Sequence, residues 1–238
     1  MSITVSDKWR ENYAFYYTEN ISEWRRLGAI DKAANIMRLC STYPHDTVLE
    51  IGCGEGAIIQ RLLDCGFGES ISGLEISPSA IAMLSKRGLK GRLFDGYAIP
   101  PSQGHVDLGI LSHVVEHLEF PRRLLYEASR ICDFLFVEVP LEDTARLADN
   151  YVFDRVGHIN FYSRKTIRRL LQTCELEILG EYMSHGSASV YRYEMGKTAG
   201  TIKHAIKESF LRTVPKLATG IFTYHYSAMC KVPSLGVM

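Results

Sequence analysis

Residues 48–59 read VLEIGCGEGAII. An apolar run from Val48 to Ile51 breaks at three alternating glycines, Gly52, Gly54 and Gly56, and apolar residues then resume as Ile58, Ile59, Leu62 and Leu63 at helical spacing. The reading is strand, tight turn, helix. Such a turn needs backbone conformations that a Cβ obstructs, and it brings the main chain close to a ligand at the helix start. Glu75 lies 23 residues beyond Gly52, at the end of the next apolar run, where a carboxylate can accept hydrogen bonds from both hydroxyls of a ribose.

Outward from this stretch the same alternation repeats. Strands are expected at Thr47–Ile51, Ile71–Glu75, Arg92–Phe94, Val106–Leu111 and Phe134–Val139. Between them, Gly66 and Gly88 stand where helices end, Ser77-Pro78 forms an N-cap and first turn, and Pro121 opens a helix carrying Leu124, Leu125, Ala128 and Ile131. Strands separated by helices imply a parallel sheet, whose ligands bind beyond the carboxyl ends of the strands. The fold class is therefore α/β, Rossmann-like, with helices on both faces.

Bulk properties narrow the function. Lys plus Arg and Asp plus Glu are both 27, so there is no net charge for gripping a phosphate backbone, and a small-molecule partner fits better than nucleic acid. The six cysteines include no CxxC pair, no apolar run is long enough to span a membrane, and the N-terminus lacks a signal-peptide core. A cytoplasmic protein with buried thiols is expected.

The glycines alone leave the cofactor open, because with Ala57 they also fit G-x-G-x-x-G/A of NAD-dependent oxidoreductases. Taken together, the motifs of residues 47–140 resemble a class I S-adenosylmethionine (SAM)-dependent methyltransferase of the small-molecule branch. LEIGCGEG matches its first motif, with the acid Glu50 two residues before the first glycine, and Asp95 in RLFDGYAIP stands after strand three. VDLGILSHVVEHLEFP matches the fourth strand and its loop, and GHINFYSRKTIRRLL at 157–171 extends the likeness. The resemblance implies a seven-stranded sheet whose last strand inserts antiparallel. It also implies a cofactor site formed by Glu50, Gly52, Cys53, Gly54, Gly56, Glu75, Ile76, Asp95, Gly96, Ser112 and His113. SAM would be the cofactor and S-adenosylhomocysteine the product. An NAD enzyme would also need a second domain for its nicotinamide chemistry, and none is legible. A non-catalytic SAM-fold scaffold is the other alternative.

His113-Val-Val-Glu116-His117 spells the H-x-x-E-H of a zinc peptidase group, but that pattern requires a helix and here it straddles a strand end and loop. His117 and His113 are the candidate general bases, since an imidazole titrates near working pH, with His158 and Tyr162 as lesser choices. No metal is expected, although Glu116, His117 and His158 form an alternative ligand set for a divalent ion.

The chain divides into an N-terminal helical and aromatic cap (1–46), the SAM-binding core (47–184), an insertion (185–220) and the last strand with its tail (221–238). Trp24, Leu27, Ala34, Met37 and Cys40 are expected on the buried face of the cap helix, and Tyr13, Tyr16, Tyr17 and Trp24 either cover a ligand or pack on the core. Ser163 caps a helix with Ile167, Leu170, Leu171 and Cys174, followed by strand six at Glu177–Met183. The insertion, helical through Ile202, Ala205, Ile206, Phe210 and Leu211 up to Pro215, is either an acceptor lid or an interaction surface such as a homodimer contact.

Overall fold

The computed structural model describes Tyr17 and residues 22–150 and 157–233; Tyr13 and Tyr16 lie outside the described residues. Helix α1 (Ser22–Cys40) leads into β1 (Thr47–Ile51), α2 (Ala57–Asp64), β2 (Ser70–Glu75), α3 (Pro78–Lys86), β3 (Lys90–Leu93) and β4 (Val106–Ser112). Next come α4 (Pro121–Ser129), β5 (Cys132–Leu141), α5 (Arg164–Gln172) and β6 (Glu177–Ser184), then three helices, α6 (Ala188–Met195), α7 (Lys197–Thr213) and α8 (Pro215–Ile221), and β7 (Tyr224–Lys231). The strands form one seven-stranded sheet in the order β3-β2-β1-β4-β5-β7-β6. β1 to β5 run parallel, and β7 lies antiparallel between β5 and β6.

Strand alternation divides the core. Leu49, Ile51, Leu111, Val137 and Val139 face Leu124, Leu125, Ile167 and Leu171 of α4 and α5. Val48, Leu108, Ile110 and Phe136 face the other way, onto α1 and α2 through Ala29, Ala33, Ile36, Ile59 and Leu62. The helix ends use the predicted chemistry: Ser77 accepts from the Ala80 N–H, and Ser163 and Thr166 form a reciprocal capping box.

Several boundaries differ from the sequence reading. Cys40 is buried as expected, but Trp24 and Ala34 are exposed, and α1 buries Ala29, Ala33, Asn35 and Ile36 as well. Leu63 of α2 is also exposed. β3 starts at Lys90, and β7 starts at Tyr224 because α8, opened by Pro215, carries the helical insertion on to Ile221. The insertion is three helices rather than one. All six cysteines are free thiols, five of them buried and Cys65 exposed. Among the described residues no helix is long and apolar enough to cross a membrane.

Candidate active site

The strand order reverses between β1 and β4, and a cavity of about 440 Å³ opens at the carboxyl ends of these strands. Its floor is the glycine turn. Gly52, Gly54 and Gly56 all have positive φ (80°, 54° and 78°), the left-handed region that favours glycine. The N–H groups of Gly52 and Cys53 both donate to the Leu74 carbonyl, which pins the turn to β2.

Glu75 closes the other side of the turn. One carboxylate oxygen accepts from the Gly54 N–H at 2.8 Å, and the other accepts from the N–H groups of Ile76 and Ser77 at 2.8 and 3.0 Å. Burial raises its pKa, and these three donors work against the rise. Glu50, at the end of β1, is 2% exposed, and its Oε2 has no hydrogen-bond partner. Burial pushes its pKa up to about 8 despite the Lys32 charge, with Glu75 adding repulsion.

Ten of the twelve predicted site residues line the cavity: Glu50, Gly52, Cys53, Gly54, Glu75, Ile76, Gly96, Ser112, His113 and His117. Gly56 and Asp95 are not among its lining residues. A Cβ on Gly56 would stand 2.7 Å from Leu89 and 3.2 Å from Leu84, so this glycine serves close helix packing. Asp95 Oδ1 accepts from the N–H groups of Tyr97 and Ala98 in a local turn.

The loop after β4 carries the histidines. His113 adopts φ 57°, rare for a residue with a Cβ, while its N–H donates to the Glu138 carbonyl. Its ring lies between two buried carboxylates, 3.3 Å from Glu116 and 3.4 Å from Glu138. Burial and Lys32 disfavour the imidazolium, yet the two carboxylates outweigh them and raise the His113 pKa. Glu138 is fixed on β5 by Asn35 (2.8 Å), Ser227 (2.7 Å) and Ser112 (3.3 Å). Its pKa is pushed down to about 2, because His113, His225 and Lys32 overcome the penalty of burial.

Glu116 and His117 occupy a single 3₁₀ turn, Val115–His117, so the peptidase-like spacing is not helical. The loop beyond α4 and β5 folds back onto this turn. The N–H groups of Ile159 and Asn160 donate to the Glu116 carbonyl, and Asn160 Nδ2 donates to that of Leu118 at 2.7 Å. This zipper sets His158 against His117, their ring centroids 4.7 Å apart. Tyr162 is buried in the core, away from the cavity lining.

Sequence reasoning offered the insertion as a lid but did not name the residues of the cavity's upper wall. Lys32 and Arg25 reach it from α1, Val190, Tyr191 and Glu194 from α6, and Lys207 from α7. Lys207 is buried; its Nζ donates to Tyr191 Oη at 2.8 Å and to the Thr223 carbonyl, and burial beside Lys203 lowers its pKa to about 8. Two contacts tie α6 to α1: Trp24 Nε1 donates to Glu194 (3.1 Å), and the Ser187 N–H donates to Asp31 (2.7 Å). Tyr17 and Trp24 also line the cavity.

Known proteins share this fold. A SAM-dependent methyltransferase from Archaeoglobus fulgidus superposes with a TM-score of 0.61 at 18% identity, over 91% of this chain and 99% of that one. Magnesium protoporphyrin IX methyltransferase from Synechocystis PCC 6803, solved with SAM bound, gives 0.54 at 14% identity, over 95% and 90%. The [4+2]-cyclase SpnF gives 0.61 at 17% identity, over 86% and 80%. These likenesses show the fold. An uncharacterized protein of Methanocaldococcus jannaschii is 28% identical over 129 residues, 54% of this chain, which spans little more than half (56%) of that relative. A family model described as a methyltransferase domain matches residues 13–181, most of the chain. With the glycine turn and its two acids at the strand ends, the chain belongs to this methyltransferase-domain family, whose methyl donor is SAM.

Proposed function

We propose that the chain binds SAM in this cavity and transfers its methyl group to an oxygen or nitrogen atom of a small molecule. One observation carries the reading: two buried carboxylates, Glu50 and Glu75, stand at adjacent strand ends and face one cavity beside a glycine turn. Glu75 keeps lone-pair capacity for ribose hydroxyls beyond its three backbone donors. The unpartnered Oε2 of Glu50 suits the cationic ammonium end of the cofactor. When bound, SAM supplies a methyl group on a sulfonium, which is already an activated leaving group.

The protein's part is then alignment and exclusion of water, which can contribute up to about 7–11 kcal/mol. Residues 185–220 act with Tyr17 and Trp24 as a lid over the acceptor; the contribution of Tyr191, Val190 and Lys207 to the cavity wall supports this. On the acceptor side, His117 is the better proton acceptor. Its Nδ1 hydrogen-bonds the Gly157 carbonyl at 3.0 Å, which leaves the lone pair on Nε2, and burial lowers its pKa. His113 is held between two carboxylates that raise its pKa, which makes it the poorer choice. The neutral net charge favours a small acceptor over nucleic acid. The exposed Ile202, Ile206, Val214 and Leu217 offer a surface for a homodimer.

Incubation with isotopically labelled methyl donor and a panel of hydroxyl- and amine-bearing sugars, lipids and aromatic metabolites tests the reading. Label transferred to one chemical class is expected. SAM binding without transfer to any of them would favour a scaffold role.

A further inference from the structure

Two groups of side chains in the described residues have metal-ligand composition: His113, Glu138 and His225, and Glu116, His117 and His158. The first is already satisfied internally. Asn35, Ser227 and Ser112 occupy the Glu138 carboxylate, which acts as an anchor between β5, β7 and α1.

The second is different. Glu116 is fully buried, yet neither carboxylate oxygen accepts a hydrogen bond. Its ion-pair contacts are His113 at 3.3 Å and His158 Nε2 at 3.9 Å. The His113 imidazole pairs with it, yet that one contact leaves most lone pairs of this buried carboxylate unused, and buried carboxylates pair or coordinate metals. Both histidines have the outer-sphere support that metal ligands receive. His158 Nδ1 lies 2.6 Å from Glu142, and His117 Nδ1 lies 3.0 Å from the Gly157 carbonyl. These bonds place the ring protons on Nδ1 and direct the Nε2 lone pairs elsewhere. The three ligand atoms lie within 4.8 Å of one another. A tetrahedral site with bonds of about 2.0–2.1 Å needs separations of about 3.3 Å, so the three ligand atoms draw together on binding.

We propose that Glu116, His117 and His158 bind one divalent ion of the zinc class, with a fourth position open to the cavity that His117 and His158 line. An occupied site makes His117 a ligand rather than a proton acceptor. Ion binding is read without donor or acceptor, so it stands or falls apart from the methyl-transfer reading.

The test is calorimetric titration of metal-depleted full-length protein with Zn²⁺, repeated with Co²⁺ while following its visible absorption. Wild type is expected to bind one equivalent and give the cobalt bands of a site with nitrogen and oxygen ligands. Glu142→Gln, which removes only the carboxylate orienting His158, is expected to weaken binding roughly 10- to 100-fold. Glu116→Gln and His158→Gln should weaken it further, and His225→Gln should leave it intact. No stoichiometric binding by wild type overturns the proposal. So does affinity unchanged in both Glu116→Gln and His158→Gln, or a loss confined to His225→Gln. If thermal melts show that Glu116→Gln does not fold, the partly exposed His158 and Glu142 carry the test.

Discussion

Replacing Glu50 by glutamine removes a charge from the cavity while keeping shape and volume. The native carboxyl holds its proton up to about 8 against an ordinary 4.5, because it is buried. The sign follows from linkage: with a folded pKa above the unfolded one, the proton's stabilisation is fully present below pH 4.5 and lost as pH rises through about 8. A shift of this size corresponds to about 5 kcal/mol at most, at about 1.36 kcal/mol per pH unit. Relaxation around Lys32 would reduce it. Denaturant unfolding from pH 5 to 9 should show nearly equal stability at the acid end. A gap in favour of Glu50→Gln should then widen toward pH 8 and level off above it. The same proton bears on the cofactor: near pH 7 only about one-tenth of Glu50 is ionised. Binding a cationic ligand should therefore release close to one proton and tighten about tenfold per pH unit below 8, a slope that Glu50→Gln loses. A stability gap that stays flat across this range, or cofactor binding without proton release in buffers of differing ionisation enthalpy, refutes the reasoning.

Other outcomes follow from the same contacts. Asn35→Leu removes a donor from the buried Glu138 carboxylate and should cost about 1–3 kcal/mol in thermal or denaturant unfolding; a neutral effect would mean that Ser227 and Ser112 suffice. His117→Ala should lower kcat about 10²- to 10⁴-fold with the true acceptor while leaving cofactor affinity nearly unchanged. His113→Ala should instead destabilise the fold, visible as a lower melting temperature, because it leaves the buried Glu116 and Glu138 without the imidazole between them.

The parallel strands were legible because each apolar run ends in a turn signal, and the acids mattered because they stand at strand ends. The antiparallel insertion of β7 came from resemblance alone; nothing in residues 224–231 states its neighbours. The buried face of α1 was misread because small residues, Ala29 and Ala33, and a polar one, Asn35, pack where apolar periodicity marks Trp24 and Leu27. Asn35 is inside because Glu138, 103 residues away, needs a donor. Lys207 and Tyr191 carry no local signal either, since only the folding of the insertion over the strand ends brings them to the cavity. Asp95 followed by Gly96 was a turn signal as well as a motif match, and in the structure Asp95 makes the turn.

Calorimetric titration with SAM, S-adenosylhomocysteine and NAD tests the central claim most directly, on wild type, Gly54→Arg and Glu75→Ala. At Gly54 even a Cβ would sit 2.7 Å from Tyr17 Oη with φ at +54°, so arginine fills the cradle. Binding of both adenosyl ligands by wild type, lost in both variants, is the predicted result; tight NAD binding with no response to SAM would contradict it.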